Sequence, residues 1–145
     1  MERPGEAIER LHAVRRLLQQ CNAAACARHG LSQTEAAVLL YLYNNPGRDS
    51  ASDIVAYRKL PKANVSKAVD ALTRRGLLSR ETDGADRRRT HLRLTRTAQQ
   101  ALPALIAAQE RFFSLLFAGF TDEERAMYAA MNARIAENAK RKFQE

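Results

Sequence analysis

Long apolar runs, cysteines and catalytic signatures are all scarce in this chain of 145 residues. No segment approaches the ~20 apolar residues that a membrane-spanning helix needs. The opening stretch, Met1 to Glu9, alternates charge with small side chains and lacks the apolar core of a signal peptide. The expectation is a cytoplasmic protein with no membrane partner. Two cysteines, Cys21 and Cys26, are too few for a disulfide framework. On one helix their spacing sets them about 7.5 Å apart along the axis and about 140° apart around it, so they cannot bridge each other. They read either as small buried hydrophobes or as redox residues: a peroxide- or electrophile-sensing thiolate, or a link to a second subunit.

The three histidines, His12, His29 and His91, are scattered. There is no Gly-x-Ser-x-Gly, no Gly-rich phosphate loop and no His-Glu-x-x-His, so no catalytic residue is expected. Cys21, Cys26 and His29 lack a fourth ligand and straddle a helix end, which argues against a metal site. No cofactor is expected either. Internal repeats and low-complexity tracts are absent, and the length favours one domain over 1–145 with a core of its own.

What the chain does have is a concentrated charge. Between Arg58 and Arg96 lie twelve Lys or Arg against four acids, a local excess of +8 that equals the net charge of the whole sequence. A charge asymmetry confined to a foldable segment is the footprint of a surface that meets a polyanion.

Periodicity divides the chain into elements. Ile8, Leu11, Val14, Leu18 and Cys21 recur at helical spacing from about Glu6 to Arg28, and Gly30 ends that run. Ser32 and Glu35 have capping-box spacing for a helix whose apolar face is Ala36, Val38, Leu39, Leu42 and Tyr43, stopped by Asn45-Pro46-Gly47. Ser50 and Asp53 repeat the cap logic for a short helix through Ile54, Val55 and Tyr57. Pro61 suits the first turn of the next helix, about Lys62 to Arg75. There Val65, Ala68, Val69 and Leu72 point inward, leaving Ala63, Ser66, Lys67, Asp70 and Arg74 outside.

After Gly76 the period changes. Leu78 to Glu81 and His91 to Thr95 alternate about an Asp83-Gly84-Ala85-Asp86 turn, which predicts a two-stranded hairpin with an Arg-rich tip. From Thr97 the helical period returns with a wide apolar face, Leu102 to Phe117, and Pro103 predicts a bend or a late start. Thr121 and Glu124 box a last helix with Met127, Met131 and Ile135 at spacing four.

Helix, short helix, turn, helix, Gly, hairpin is the plan of a winged helix-turn-helix: mainly α with a small β-hairpin wing, flanked by N- and C-terminal helices. A helix entering a major groove needs small or polar side chains at its leading face and donors that reach phosphates and base edges. Ala63, Asn64, Ser66 and Lys67 supply these, with Lys62 and Arg74 beside them. A hairpin tip in a minor groove needs guanidinium groups, and Arg87, Arg88 and Arg89 sit there, where Asp83 or Asp86 could brace one of them.

Asn64-Val65-Ser66-Lys67-Ala68-Val69-Asp70-Ala71-Leu72, followed by Arg75-Gly76-Leu77-Leu78-Ser79-Arg80, resembles the recognition helix and first wing strand of MarR-type regulators. Asp83 to Thr95 is similar to their wing signature, an Asp-rich turn, Arg, three residues, then Leu-x-Leu-Thr. Ala98 departs from the Gly of many relatives. The resemblance implies that Arg88 is the minor-groove arginine with Asp86 as its brace, and that Asn64, Ser66 and Lys67 contact DNA from the recognition helix. It also implies a homodimer built from 5–28 and 97–143 around a DNA-binding core of 32–96. The apolar faces of the last two helices exceed what one small winged domain covers, which leads to the same dimer.

Double-stranded DNA, a second copy of the chain and a small aromatic or phenolic effector are the implied partners, for a transcriptional repressor on a pseudo-palindromic operator. His12, Arg16, Tyr41 and Phe112 are residue types that suit an effector pocket, although each suits core or surface equally. The rival readings are a thiol-based redox regulator and a winged helix used to bind protein.

Overall fold

A computed structural model describes residues 2–142. The two ends of the expected 1–145 domain, and residue 143 of the expected 97–143 span, lie outside the described residues. The chain clusters into two compact units, divided between Phe112 and Phe113.

The first unit holds α1 (Pro4–His29), α2 (Gln33–Asn44), α3 (Ala51–Arg58), α4 (Lys62–Arg74), β1 (Leu78–Thr82), β2 (Thr90–Leu94) and most of α5 (Ala98–Leu116). It is a winged helix: α2, α3 and α4 pack together, and the antiparallel pair β1 and β2 follows with Leu78 opposite Leu94 and Thr82 opposite Thr90. Leu39, Ile54, Leu72, Leu102 and Leu105 are among its fully buried side chains.

Local chemistry sets the boundaries. Gly30 adopts φ 60°, a left-handed cap in which the Leu31 amide donates back to the Cys26 carbonyl at 2.8 Å. The Ser50 and Asp53 box is complete, each side chain accepting from the other's backbone amide at 3.1 Å. The Ser32 box is half made: Ser32 Oγ accepts from the Glu35 amide at 3.0 Å, while the Glu35 carboxylate faces Arg75 at 3.5 Å. Pro61 is the N-cap of α4, one place before the first turn where the sequence put it.

Two further expectations change. Tyr43 is 50% exposed, and Tyr41 is the buried tyrosine, its ring 5.4 Å from that of Tyr57. The α5 helix begins at Ala98, held by the Thr95 carbonyl and hydroxyl, and continues across Pro103, so the late start does not occur. Pro103 is exposed, so the carbonyl its missing amide leaves free lies on the solvent side.

On α1 the apolar stripe is only partly covered. Asn22, Ala25 and Cys26 are buried, whereas Ile8, Leu11 and Val14 are exposed. The second unit contains the end of α5 and α6 (Asp122–Lys142). Thr121 and Glu124 make the expected box at 2.8 and 3.2 Å, and Phe117 packs edge-on against Phe120 and Tyr128. No described residue of α6 is buried.

Candidate nucleic-acid interface

Burial of Val65, Ala68, Val69 and Leu72 fixes which side of α4 faces outward. At 100° per residue, Lys62, Ala63, Ser66, Lys67, Asp70 and Arg74 fall within an arc of about 140°. All six are exposed. Asn64 is exposed too, but lies about 60° beyond Lys67, toward the buried side. The side chains at the exposed N-terminal turn are short apart from Lys62, which permits a close approach to the backbone there.

The wing tip is built on two aspartates that act through the backbone. Asp83 Oδ1 accepts from the Ala85 and Asp86 amides, both at 2.8 Å, and Asp86 Oδ1 accepts from the Arg88 amide at 3.0 Å. The Asp83 amide donates across the tip to the Arg89 carbonyl at 2.9 Å. Neither aspartate holds a guanidinium: the expected brace on an arginine side chain is instead a brace on the turn that carries it, because short Asx side chains reach neighbouring amides first. Arg89 donates to Asp53 of α3 at 3.3 Å, which ties the tip to the helical core. Arg87 and Arg88 are exposed and have no ion pair among the described residues.

Several residues not singled out from the sequence complete the frame. Arg80 of β1 pairs with Asp70 of α4 at 2.5 Å. Arg75 donates to the His29 and Gly30 carbonyls, both at 2.7 Å, closing the C-terminus of α1. Asp49, 5% exposed in the loop before α3, accepts from His91 Nδ1 and from Arg93, each at 2.6 Å. His91 Nε2 lies 2.6 Å from Asp83. Only the turn chemistry of Asp83 was legible beforehand; the pairing of Asp49 with positions more than forty residues away leaves no local signal.

These pairs absorb particular charges and leave others. Arg58, Lys59, Lys62, Lys67, Arg74, Arg87, Arg88 and Arg96 are exposed and without an ion pair among the described residues. They come from the end of α3, the outer face of α4, the wing tip and the turn before α5. Of the acids in the same stretch, Asp70 pairs with Arg80, Glu81 with Arg93 and Asp83 with His91, so none of them is paired with one of these eight cations.

The cysteines are both free. Cys26 is buried, its thiol donating weakly to the Ser32 carbonyl at 3.9 Å, and burial followed by the neighbouring Glu35 pushes its pKa up. That environment suits a packing residue and disfavours a thiolate. Cys21 is half-buried. A shallow cleft of about 140 Å³ is lined by His29, Arg75, Leu77, Thr97, Gln100 and Ala101. None of His12, Arg16, Tyr41 and Phe112 lines it: His12 and Arg16 are exposed on α1, while Tyr41 and Phe112 are buried.

A model of the MarR family matches residues 29–89, the helix-turn-helix and the wing through Arg89. Over 97 residues the chain is 31% identical to the uncharacterized HTH-type transcriptional regulator YkoM of Bacillus subtilis (strain 168), covering 67% of this chain and 62% of that protein. Within residues 29–89 the chain matches the MarR family. It is 26% identical over 106 residues to the HTH-type transcriptional repressor YetL of the same organism, covering 72% of this chain and 64% of the repressor. The aligned part thus spans 62 to 66% of the length of the curated relatives it matches. Among solved structures, the crystal structure of MarR superposes with a TM-score of 0.69 at 27% identity, over 96% of this chain and 99% of MarR. The sequence-based expectation of a MarR-type winged helix is therefore met in both sequence and fold. These curated relatives are named as regulators and not as enzymes.

Proposed function

We propose that this chain is a sequence-specific DNA-binding transcriptional repressor of the MarR family. The observation that carries the reading is the set of eight exposed cations without an ion pair among the described residues, at the end of α3, on α4, at the wing tip and in the turn before α5, beside a helix face of small polar side chains. In this reading Lys62, Asn64, Ser66, Lys67 and Arg74 meet the major groove. Arg87 and Arg88 enter the minor groove, and Arg89 steadies the wing through Asp53. Asp83 and Asp86 hold the tip. The DNA-binding core is 32–96.

The protein acts as a homodimer through 5–28 and 97–143, in the cytoplasm. The reading is supported by two uncovered apolar faces, Ile8, Leu11 and Val14 on α1 and Met127, Met131 and Ile135 on α6. Such faces are unfavourable in water unless a partner covers them. A two-fold dimer reads a pseudo-palindrome with half-sites about one helical turn apart. A small aromatic or phenolic effector modulates affinity by favouring one spacing of the two recognition helices over another, and its leverage equals its differential affinity for the two.

The test is fluorescence anisotropy on duplexes tiled across the upstream intergenic DNA of its own gene, over a salt series. Tight, site-selective binding that weakens steeply with salt is the expected result. A salt-independent or undetectable response on every duplex, with capture of a protein partner by the same face, would turn the reading to a protein-interaction module.

A further inference from the structure

His91 is held between two carboxylates, one on each ring nitrogen: Nδ1 at 2.6 Å from Asp49 Oδ1 and Nε2 at 2.6 Å from Asp83 Oδ2. A neutral imidazole has one N–H and one lone pair, whereas an ionised carboxylate only accepts. Both contacts are satisfied together only when the ring carries both protons. The carboxylates are themselves committed as acceptors. Asp49 also takes the Arg93 guanidinium at 2.6 Å, and Asp83 takes the Ala85 and Asp86 amides. The shared proton therefore belongs to His91.

The position of this bridge is what gives it consequence. Asp49 precedes α3 and its backbone carbonyl also accepts from the Leu92 amide at 2.8 Å, so it belongs to the fixed frame. Asp83 is the residue on which the wing turn is folded, and Arg87 and Arg88 ride on that turn. Glu81 stands opposite His91 on β1 and is engaged by Arg93, and Asp53, four residues past Asp49 in the chain, is engaged by Arg89 and Ser50. The α2 helix packs against β2, and its only charged residue, Glu35, faces Arg75.

We propose that Asp49, His91 and Asp83 form a proton-dependent latch that fixes the wing in its DNA-binding pose, with His91 as a positioning residue. The proposal rests on the reading that the wing meets DNA. Hydrogen bonding to Asp49, then to Asp83, raises the pKa of His91 above its ordinary value. A raised value means that the latch is complete below the usual histidine range and is lost as pH rises through the elevated one. Loss of the proton sets a lone pair against one carboxylate and frees the Asp83 side of the turn.

The experiment uses the full chain. The His91 ring and the Arg87, Arg88 and Arg89 amides are followed by NMR from about pH 6 to about pH 9, a range that spans histidine titration. Anisotropy with labelled duplexes tiled across the upstream intergenic DNA runs in parallel at fixed ionic strength. The expected result is a raised His91 titration that the wing amides follow, with affinity falling roughly tenfold across it, a typical size for coupled sites. His91→Ala and Asp83→Asn are each expected to abolish the pH response, and His91→Ala also to weaken binding at the acid end. Wing amides that ignore the His91 titration, or an undiminished pH response in His91→Ala, would overturn the latch. Wing amides that follow His91 while no duplex binds at any pH would uphold the latch and remove the DNA-binding role instead.

Discussion

Arg89 of the wing tip donates to Asp53 near the start of α3 at 3.3 Å, while Arg87 and Arg88, its two predecessors, remain free of any ion pair among the described residues. The three consecutive arginines thus have different work. Arg88→Ala is expected to weaken duplex binding and reduce the salt slope by about 0.9, the value for one phosphate contact on B-form DNA. Arg89→Ala is expected to change the slope less and to cost under about 1 kcal/mol of stability, since the pair is solvent-screened. Anisotropy over a salt series combined with urea denaturation separates the two. Equal slopes for the two variants would mean that Arg89 leaves Asp53 when DNA arrives.

The distinction between those arginines was not legible in the sequence, where Arg87, Arg88 and Arg89 are identical side chains in a row. What local chemistry encodes came through: the Ser50 and Asp53 box, the Gly30 stop, the hairpin about the Asp83 turn, and the inward face of α4. What depends on a distant partner did not. Asp49 reads as an ordinary loop acid, because His91 and Arg93 are invisible from its neighbours. Tyr43 falls on the apolar face that the spacing of α2 predicts, yet Tyr41 is the one buried, with the Tyr57 ring, fourteen positions or more away in sequence, packed beside it. Glu35 has capping-box spacing, yet Arg75 claims its carboxylate.

Ser50 deserves a direct measurement because α3 is short. Ser50→Ala removes the acceptor for the Asp53 amide and is expected to destabilise the protein by about 1 kcal/mol, the usual cost of a lost N-cap. Ser50→Asp keeps a carboxylate acceptor and should lose much less. The urea midpoints of the two variants check this.

Ile54 is the only buried residue of α3 and is fully enclosed. Ile54→Ala is expected to cost about 2 to 5 kcal/mol, the range for truncating a large aliphatic core side chain. Because α3 sits directly before α4, the proposed recognition helix, loss of duplex affinity should appear at temperatures where the variant still shows native helicity by circular dichroism. Intact affinity together with a large stability loss would mean that α3 braces the fold without orienting α4.

Two aspartates have lowered pKa values that bear on stability in acid. Backbone bonding from Asp86, then from His91 and Ala85, holds Asp83 well below the usual carboxylate range. Burial pushes Asp53 upward, but bonds from Ser50 and the charges of Arg89 and Arg48 outweigh it and lower the net value. A depressed folded-state pKa contributes stability that is present above the unfolded value and is lost as pH falls through the folded one. Stability should therefore drop on going from about pH 6 to about pH 3, and Asp53→Asn should flatten that drop. Denaturant midpoints at the two pH values give the answer.

The uncovered face of α6 bears on assembly. Met131 is 49% exposed and Ile135 is 64% exposed, on a helix with no buried residue among those described. A carboxylate introduced there costs nothing in water but must be desolvated or left unpaired in an apolar dimer interface. Met131→Glu is expected to yield a helical, folded monomer by light scattering. Its affinity for a two-half-site duplex should fall by at least about 100-fold, because the second half-site no longer binds at the effective concentration that the dimer provides. Binding to an isolated half-site should change little, since α4 and the wing are untouched. A variant that stays dimeric would move the interface away from α6 and leave the exposed stripe of α1, Ile8, Leu11 and Val14, as the surface to mutate next.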